Sequence, residues 1–410
     1  MVVTSVTLFA LLVSANLSTP LFSFLEVKLS MSSLGTALAF SSYVLALIAG
    51  LVASRHLVGT SNRRTVLLAS VAAAALATLG LAFAPTLGWF CVARAVQGVA
   101  IACATGTGSG ALRALSPDRP ALVGRLTLLA TSGGVAVGPI LGGALSSVHG
   151  ADPLVLPYLV MAAALLALLP VILIVAPHRE CMPRIAPSPI ALADAPEHLP
   201  STSGQAAPGQ AALGQAALGQ AASADSRVAA LRAFRVAAVT GFLSFTVFGF
   251  CLSLAPTHFA AIAGTDSRLA IGFLAAITLA ASALTQLVPL HGGWRIATGL
   301  FALAAALVGV AAAGPLNSLA LLVAASTLAG IGQGVAFQAA FTAATAAVDP
   351  WRHASTVNAI YTVTYLGSAI PVIGLGLLAD RLGLSAAVTV FAIGAAIACA
   401  ALAIFSRPRT

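Results

Sequence analysis

The chain has 410 residues, of which 60% are hydrophobic and 7% charged, with a mean hydropathy of +1.04. A soluble domain cannot cover its surface with so few charges, so the composition excludes a soluble globular protein and calls for a polytopic membrane protein. The net charge of +9 would suit nucleic acid only if the basic residues were placed for it.

Crossing about 30 Å of hydrocarbon takes roughly 20 apolar residues. Such runs are expected as helices near 4–25, 34–54, 65–84, 87–110, 121–146 and 154–176, then near 234–256, 269–290, 294–313, 317–345, 355–378 and 385–405. The first has neither a basic leader nor a small-residue cleavage site and is read as a retained helix. The five cysteines (Cys91, Cys103, Cys181, Cys251 and Cys399) are odd in number and mostly in apolar runs, so no disulfide is expected.

An even number of spans puts both termini on one side. With that side cytoplasmic, fifteen of the nineteen basic residues fall inside, among them Arg55, Arg63, Arg64, Arg113, Arg179, Arg295 and Arg407. Lys28, Arg268 and Arg381 fall outside, and Arg94 lies within a helix. This asymmetry follows the positive-inside rule and accounts for the basic balance without nucleic acid. The expected organisation is a six-helix bundle at 1–176, a linker at 177–232 and a second six-helix bundle at 233–410. The linker reading rests on seven prolines and the five-residue repeat GQAAPGQAALGQAALGQAA, a composition that buries too little apolar surface to order itself.

The fifth span contains TSGGVAVGPILGGAL, residues 131–145. Glycine and proline weaken a soluble helix, whereas in lipid small residues let two helix backbones approach closely. Gly134, Gly138 and Gly142 fall four apart on one face, with Pro139 and Gly143 beside them. Such a face suits either a helix that slides and bends against a partner or a static packing seam.

Arg94, Gln97 and Gly98 in the fourth span match an R-x-x-Q-G pattern, and the fifth-span stretch matches G-x-x-x-G-P-x-x-G-G. In these helices the two motifs resemble those of the major facilitator superfamily, and in particular its 12-helix drug:proton antiporters. The loop after the second span resembles the family's gate signature more loosely, through Gly50, Arg55, Gly59, Arg63 and Arg64, with Ser54 where relatives carry an aspartate. Tyr365, Leu366, Gly367, Pro371, Gly374 and Gly376 resemble the family's flexible eleventh helix. The resemblance implies two bundles rocking about a site near the midplane. It also implies coupling or gating roles for Arg94, Gln97, Gly98, Gly134, Gly138, Pro139, Gly142, Gly143 and Arg55.

Arg94 lies about 12 Å into its helix, where a charge costs a few kcal/mol unless water or a partner meets it. It is either a cation beside the transport path or a residue that snorkels outward or bonds carbonyls between helices. Of the ten acids only Glu26 is near the path. It either carries a coupled proton or is a solvated helix-end charge. The polar and aromatic positions on the helices that line the cavity in the family it resembles are Asn16, Thr19, Phe22, Gln97, Phe245, Phe248, Gln286, Gln338, Asn358, Tyr361 and Tyr365. They suit a lipophilic or weakly polar solute held by shape, and each also fits simple helix packing.

The sequence carries no paired intramembrane carboxylates, no His-Glu-x-x-His helix and no phosphate loop, so neither an intramembrane enzyme nor an ATP-driven pump is expected. No metal or cofactor is expected. The reading is a multi-pass inner-membrane secondary transporter, working as a monomer on a small molecule with protons as coupling ion. Export of hydrophobic solutes is favoured, with uptake of a sugar or other small metabolite as the alternative.

Overall fold

The computed structural model describes residues 2–53, 62–115, 120–175, 210–288, 290–348 and 350–406, with the surroundings of side chains 109–125, 128, 210–226 and 350–354 left aside. Ser54, Arg55, Gly59 and linker residues 177–209 lie outside the described residues. The elements are α1 (Val2–Asn16), α2 (Phe22–Lys28), α3 (Ser33–Ala53), α4 (Arg63–Ala82), α5 (Leu87–Leu115), α6 (Pro120–Ser146) and α7 (Leu156–Val175). They continue with α8 (Gln210–Leu252), α9 (Ala255–Ala263), α10 (Arg268–Leu287), α11 (Arg295–Ala313), α12 (Leu319–Ala346), α13 (Pro350–Leu382) and α14 (Leu384–Phe405).

Among the described residues twelve helical spans are long and apolar enough to cross a membrane. The protein is an all-α integral membrane protein built as two bundles of six spans.

Two spans differ from their expected form. The first is broken: α1 ends at Asn16, a short 3-10 turn covers Thr19–Leu21, and α2 completes the crossing. Pro20 has no N–H to donate, so the α-helical ladder cannot run through it. The seventh is broken in the same way before Pro256, between α8 and α9. α8 also reaches back to Gln210, so the end of the stretch read as linker is helical. Its repeat is rich in alanine, glutamine and leucine, which favour helix enough to carry a glycine every fifth residue.

The glycines of α6 serve two partners. A Cβ on Gly134 would lie 2.8 Å from the Leu12 Cβ, and one on Gly138 would lie 2.8 Å from the Asn16 Cβ and 2.9 Å from the Val13 carbonyl. With Gly142 against the Leu17 carbonyl, this face lets α6 lie backbone to backbone on α1. Gly143 is turned about 100° away and presses on the Arg268 carbonyl of α10, where Gly272 in return meets the Pro139 carbonyl.

Further contacts join the bundles. Thr19 Oγ1 donates to the Leu252 carbonyl (3.4 Å), Ser41 Oγ to the Ala369 carbonyl (3.3 Å), and the Leu34 N–H to Asp380 Oδ1 (3.3 Å). Gly376 packs on Leu34 and Ala37. Arg268 Nη1 donates to the Ser146 carbonyl (3.3 Å) and its guanidinium stacks 4.3 Å over the Phe24 ring. All of these lie toward the end of the molecule away from the chain termini, so the bundles are closed on each other at that end.

Candidate functional site

The amino-terminal bundle is organised around Arg94 of α5, which is 1% exposed. Because α1 stops at Asn16, its last carbonyls have no helical donor, and they form the negative end of that helix's dipole. Arg94 Nη1 meets them, donating to the Ala15 carbonyl at 2.5 Å and to Gln97 Oε1, one turn along α5, at 2.8 Å. Its guanidinium carbon also sits 4.6 Å from the centre of the Tyr43 ring, a cation–π contact.

Gln97 is oriented in turn by donating to Thr78 Oγ1 (3.2 Å) and Ser14 Oγ (3.4 Å). Tyr43, Tyr158 and Cys91 are the ionisable groups that act on Arg94, and no carboxylate is among them. Tyr158 donates to Ser18 Oγ at 2.9 Å, inside the break of the first span. A buried cation costs several kcal/mol unless partners replace its water. Here a helix terminus, an amide and an aromatic face replace part of it, while Arg94 Nε is buried without a hydrogen-bond partner. Gly98 completes the arrangement: its missing side chain lets α5 lie against the Tyr43 carbonyl of α3.

The carboxy-terminal bundle presents a different surface. Phe245 stacks on Phe248 (5.3 Å between centroids) and meets Tyr365 edge-on (5.5 Å) and Phe337 (5.8 Å). Phe341 and Tyr361 (5.4 Å) extend the cluster, and Tyr361 stacks on Tyr365 (6.1 Å). All six rings are half-buried, so they form a wall rather than a sealed core. Tyr43 of the other bundle and Tyr365 are carried by α3 and α13, which pack on each other across the bundle interface. Gln338 Nε2 donates to the Gln286 carbonyl (3.0 Å) and Gln286 Nε2 to Ser282 Oγ (3.2 Å), tying α12 to α10.

The structure therefore gathers Arg94, Gln97 and Gly98 in one network and Tyr361 and Tyr365 in another, with Asn358 exposed one turn before Tyr361 on α13. Two expected pocket residues lie elsewhere. Asn16 is 5% exposed and donates to the Leu12 carbonyl (2.8 Å) beneath Gly138, and Phe22 is 1% exposed and packs edge-on against Phe90. Glu26 is half-buried at the closed end, where Thr36 Oγ1 donates to it at 2.7 Å. Phe337, Phe341, Tyr43 and Tyr158 were not foreseen. Phe337 and Phe341 are an i, i+4 aromatic pair, the one sequence signal that could have found them. Among the described residues no group of three or more His, Cys, Asp or Glu side chains could hold a metal.

Residues 4–370 match the family described as the Major Facilitator Superfamily. Among solved structures, the fold is similar to a bacterial homolog of the human lysosomal transporter Spinster in its inward-facing and unoccupied conformation. That similarity has a TM-score of 0.72 at 14% identity, covering 99% of this chain and 94% of the other. It is also similar to a point mutant of the nucleoside transporter NupG, with a TM-score of 0.71 at 13% identity, covering 98% of each chain. No curated protein sequence matches the chain.

Proposed function

Since this chain belongs to the major facilitator superfamily, we propose that it is a secondary transporter working by alternating access, exchanging protons for hydrophobic small molecules that it exports. The observation that carries this reading is the half-buried wall of six aromatic rings, set in a bundle without a buried cation among its described residues, beside a bundle that holds its buried Arg94 on a helix end and an amide. Such a wall holds a flat, apolar or weakly polar solute by contact area and ring geometry. The excess of basic residues on the side of the termini supports a cytoplasmic position for both in an inner membrane, and on that reading closure at the opposite end is an inward-facing conformation that takes solute from inside. The 177–232 stretch tethers bundles 1–176 and 233–410, and the protein works as a monomer.

Glu26, held by Thr36 at the outer closure, is the carboxylate placed to carry the proton. Arg94 ties the broken end of α1 to α5, so movement of either helix disturbs both. The glycine face of α6 on α1 supports the export direction through its match to the antiporter motif. Uptake of a small metabolite is the second reading, favoured by the amides of Gln286 and Gln338 beside the aromatic wall.

The test is flux in sealed vesicles with a panel of lipophilic cations and neutral dyes, with and without a proton-collapsing ionophore. Flux that needs the gradient and is lost in Glu26→Gln is the expected result. Flux of an identified solute that persists without a gradient replaces the exchanger with a facilitator.

A further inference from the structure

A groove of about 810 Å³ runs along the outside of the amino-terminal bundle between α4 and α5. Its walls include Asn62, which caps α4, Ser70 and Ala73 of α4, and Val96, Val99 and Cys103 of α5. Val96 and Val99 are each 43% exposed and sit on the side of α5 turned away from the buried Arg94 and Gln97, so the groove faces the bilayer. From Asn62 to Ala73 is about 16 Å of helix, close to half the roughly 30 Å hydrocarbon thickness. The groove is as long as one leaflet is deep, and it starts at the membrane surface on the side of the chain termini.

That surface end is basic. Arg63 directly follows Asn62, the lining residue at that end of the groove, and lies seven residues before Ser70, so it flanks the groove at its end without being one of its walls. It is half-buried and carries no ion pair or hydrogen bond among the described residues. Arg64 beside it spends Nη2 on the Leu173 carbonyl (2.9 Å) and leaves a buried Nε without a partner. Glu26, Asp152, Asp266 and Asp380, the acids whose surroundings are described, are all at the opposite end of the molecule. No described carboxylate offsets the charge at this mouth.

We propose that this groove is a binding site for one anionic phospholipid, with an acyl chain between Ala73, Val96 and Val99 and the phosphate at Arg63. A zwitterionic headgroup brings its own cation toward the arginines and loses most of that attraction. A basic residue near a membrane surface is worth about 1 kcal/mol toward an anionic lipid, or about fivefold in retention.

The experiment is native mass spectrometry of the purified full-length protein in neutral detergent, titrated with phosphatidylglycerol or with phosphatidylcholine of identical acyl chains. The wild type is expected to retain one phosphatidylglycerol about fivefold better than phosphatidylcholine. Arg63→Gln should erase that preference, Arg63→Lys should keep most of it, and Val96→Trp, which fills the groove, should lower retention of both lipids. Arg381→Ala, at the other end, should change nothing. Thermal midpoints check that each variant is folded, and the wild-type preference stands as a test whatever the variants do. Equal retention of the two lipids overturns the proposal, as does a preference untouched by Arg63→Gln or retention untouched by Val96→Trp. Complete displacement of the lipid by excess inorganic phosphate also overturns it, because the charge alone would then be the ligand.

Discussion

The two bundles are built alike and finished differently. Gln97-Gly98-Val99-Ala100 of α5 recurs as Gln333-Gly334-Val335-Ala336 of α12, and the helix breaks before Pro20 and Pro256 are separated by the same 236 residues. At the place of Arg94 the second bundle has Gly330, whose backbone presses on α10 at Thr278 and Ser282 with no room for a side chain. Gln97 Oε1 has the guanidinium as its donor, whereas Gln333, 2% exposed, has an Oε1 without one. One bundle spends its buried polarity on holding a cation at a broken helix end. The other closes the corresponding position with Gly330 and carries half-buried aromatic rings on α8, α12 and α13 instead. The difference argues for a division of labour, with charge and helix coupling in the first bundle and solute contact in the second.

Arg94→Ala breaks this division most severely. It strips donors from the Ala15 carbonyl and Gln97 Oε1, and at about 1–3 kcal/mol for each orphaned buried acceptor the loss is about 2–6 kcal/mol, read from unfolding in detergent, with flux in vesicles lost as well. Phe22→Ala against Phe245→Ala separates packing from solute contact. Phe22→Ala should cost about 3–5 kcal/mol of stability and leave affinity in the surviving folded fraction unchanged. Phe245→Ala should weaken solute binding about fivefold or more, at the scale of one lost aromatic pair.

The two glutamines sharpen the comparison further. Gln97→Leu should destabilise by about 1–3 kcal/mol because it orphans Arg94, while Gln333→Leu, which removes an acceptor already without a donor, should stay near neutral. The smallest measurable loss belongs to Arg268→Ala at the outer closure. Losing the stack on Phe24 and the bond to the Ser146 carbonyl is worth about 1 kcal/mol, so the outer end should open about fivefold more often, measurable as faster labelling of a cysteine replacing the buried Ser146.

Much of the fold was legible because hydropathy and charge are additive along the chain: each of the twelve spans announces itself locally, without knowledge of its neighbours. The Arg94–Gln97 pair was legible for the same reason, since three residues on a helix fix which face they share. What Arg94 bonds to was not. Its acceptor is a backbone carbonyl freed by the break before Pro20, and a carbonyl leaves no mark in the sequence. The burial of Asn16 and Phe22 was not legible, because a polar or aromatic residue on a membrane helix reads the same whether it is half-buried, as Tyr365 is, or packed on a neighbouring helix, as Phe22 is on Phe90. Gly143 was grouped with its neighbours on α6, yet one residue of rotation sends it across to the other bundle. The helical extension of α8 was hidden by glycines and prolines that resemble a linker, although its alanines favour helix.

The central claim is that the bundles rock about the site between Arg94 and the aromatic wall, exchanging closure at one end for closure at the other. The most direct measurement places spin labels at the exposed Phe83 and Leu316 toward the closed end and at the exposed Val175 and Phe405 toward the opposite end, and reads both distances with and without a transported solute and a proton gradient. The account predicts reciprocal change, the first pair lengthening while the second shortens. Two distances that stay fixed, or that lengthen together, would contradict it.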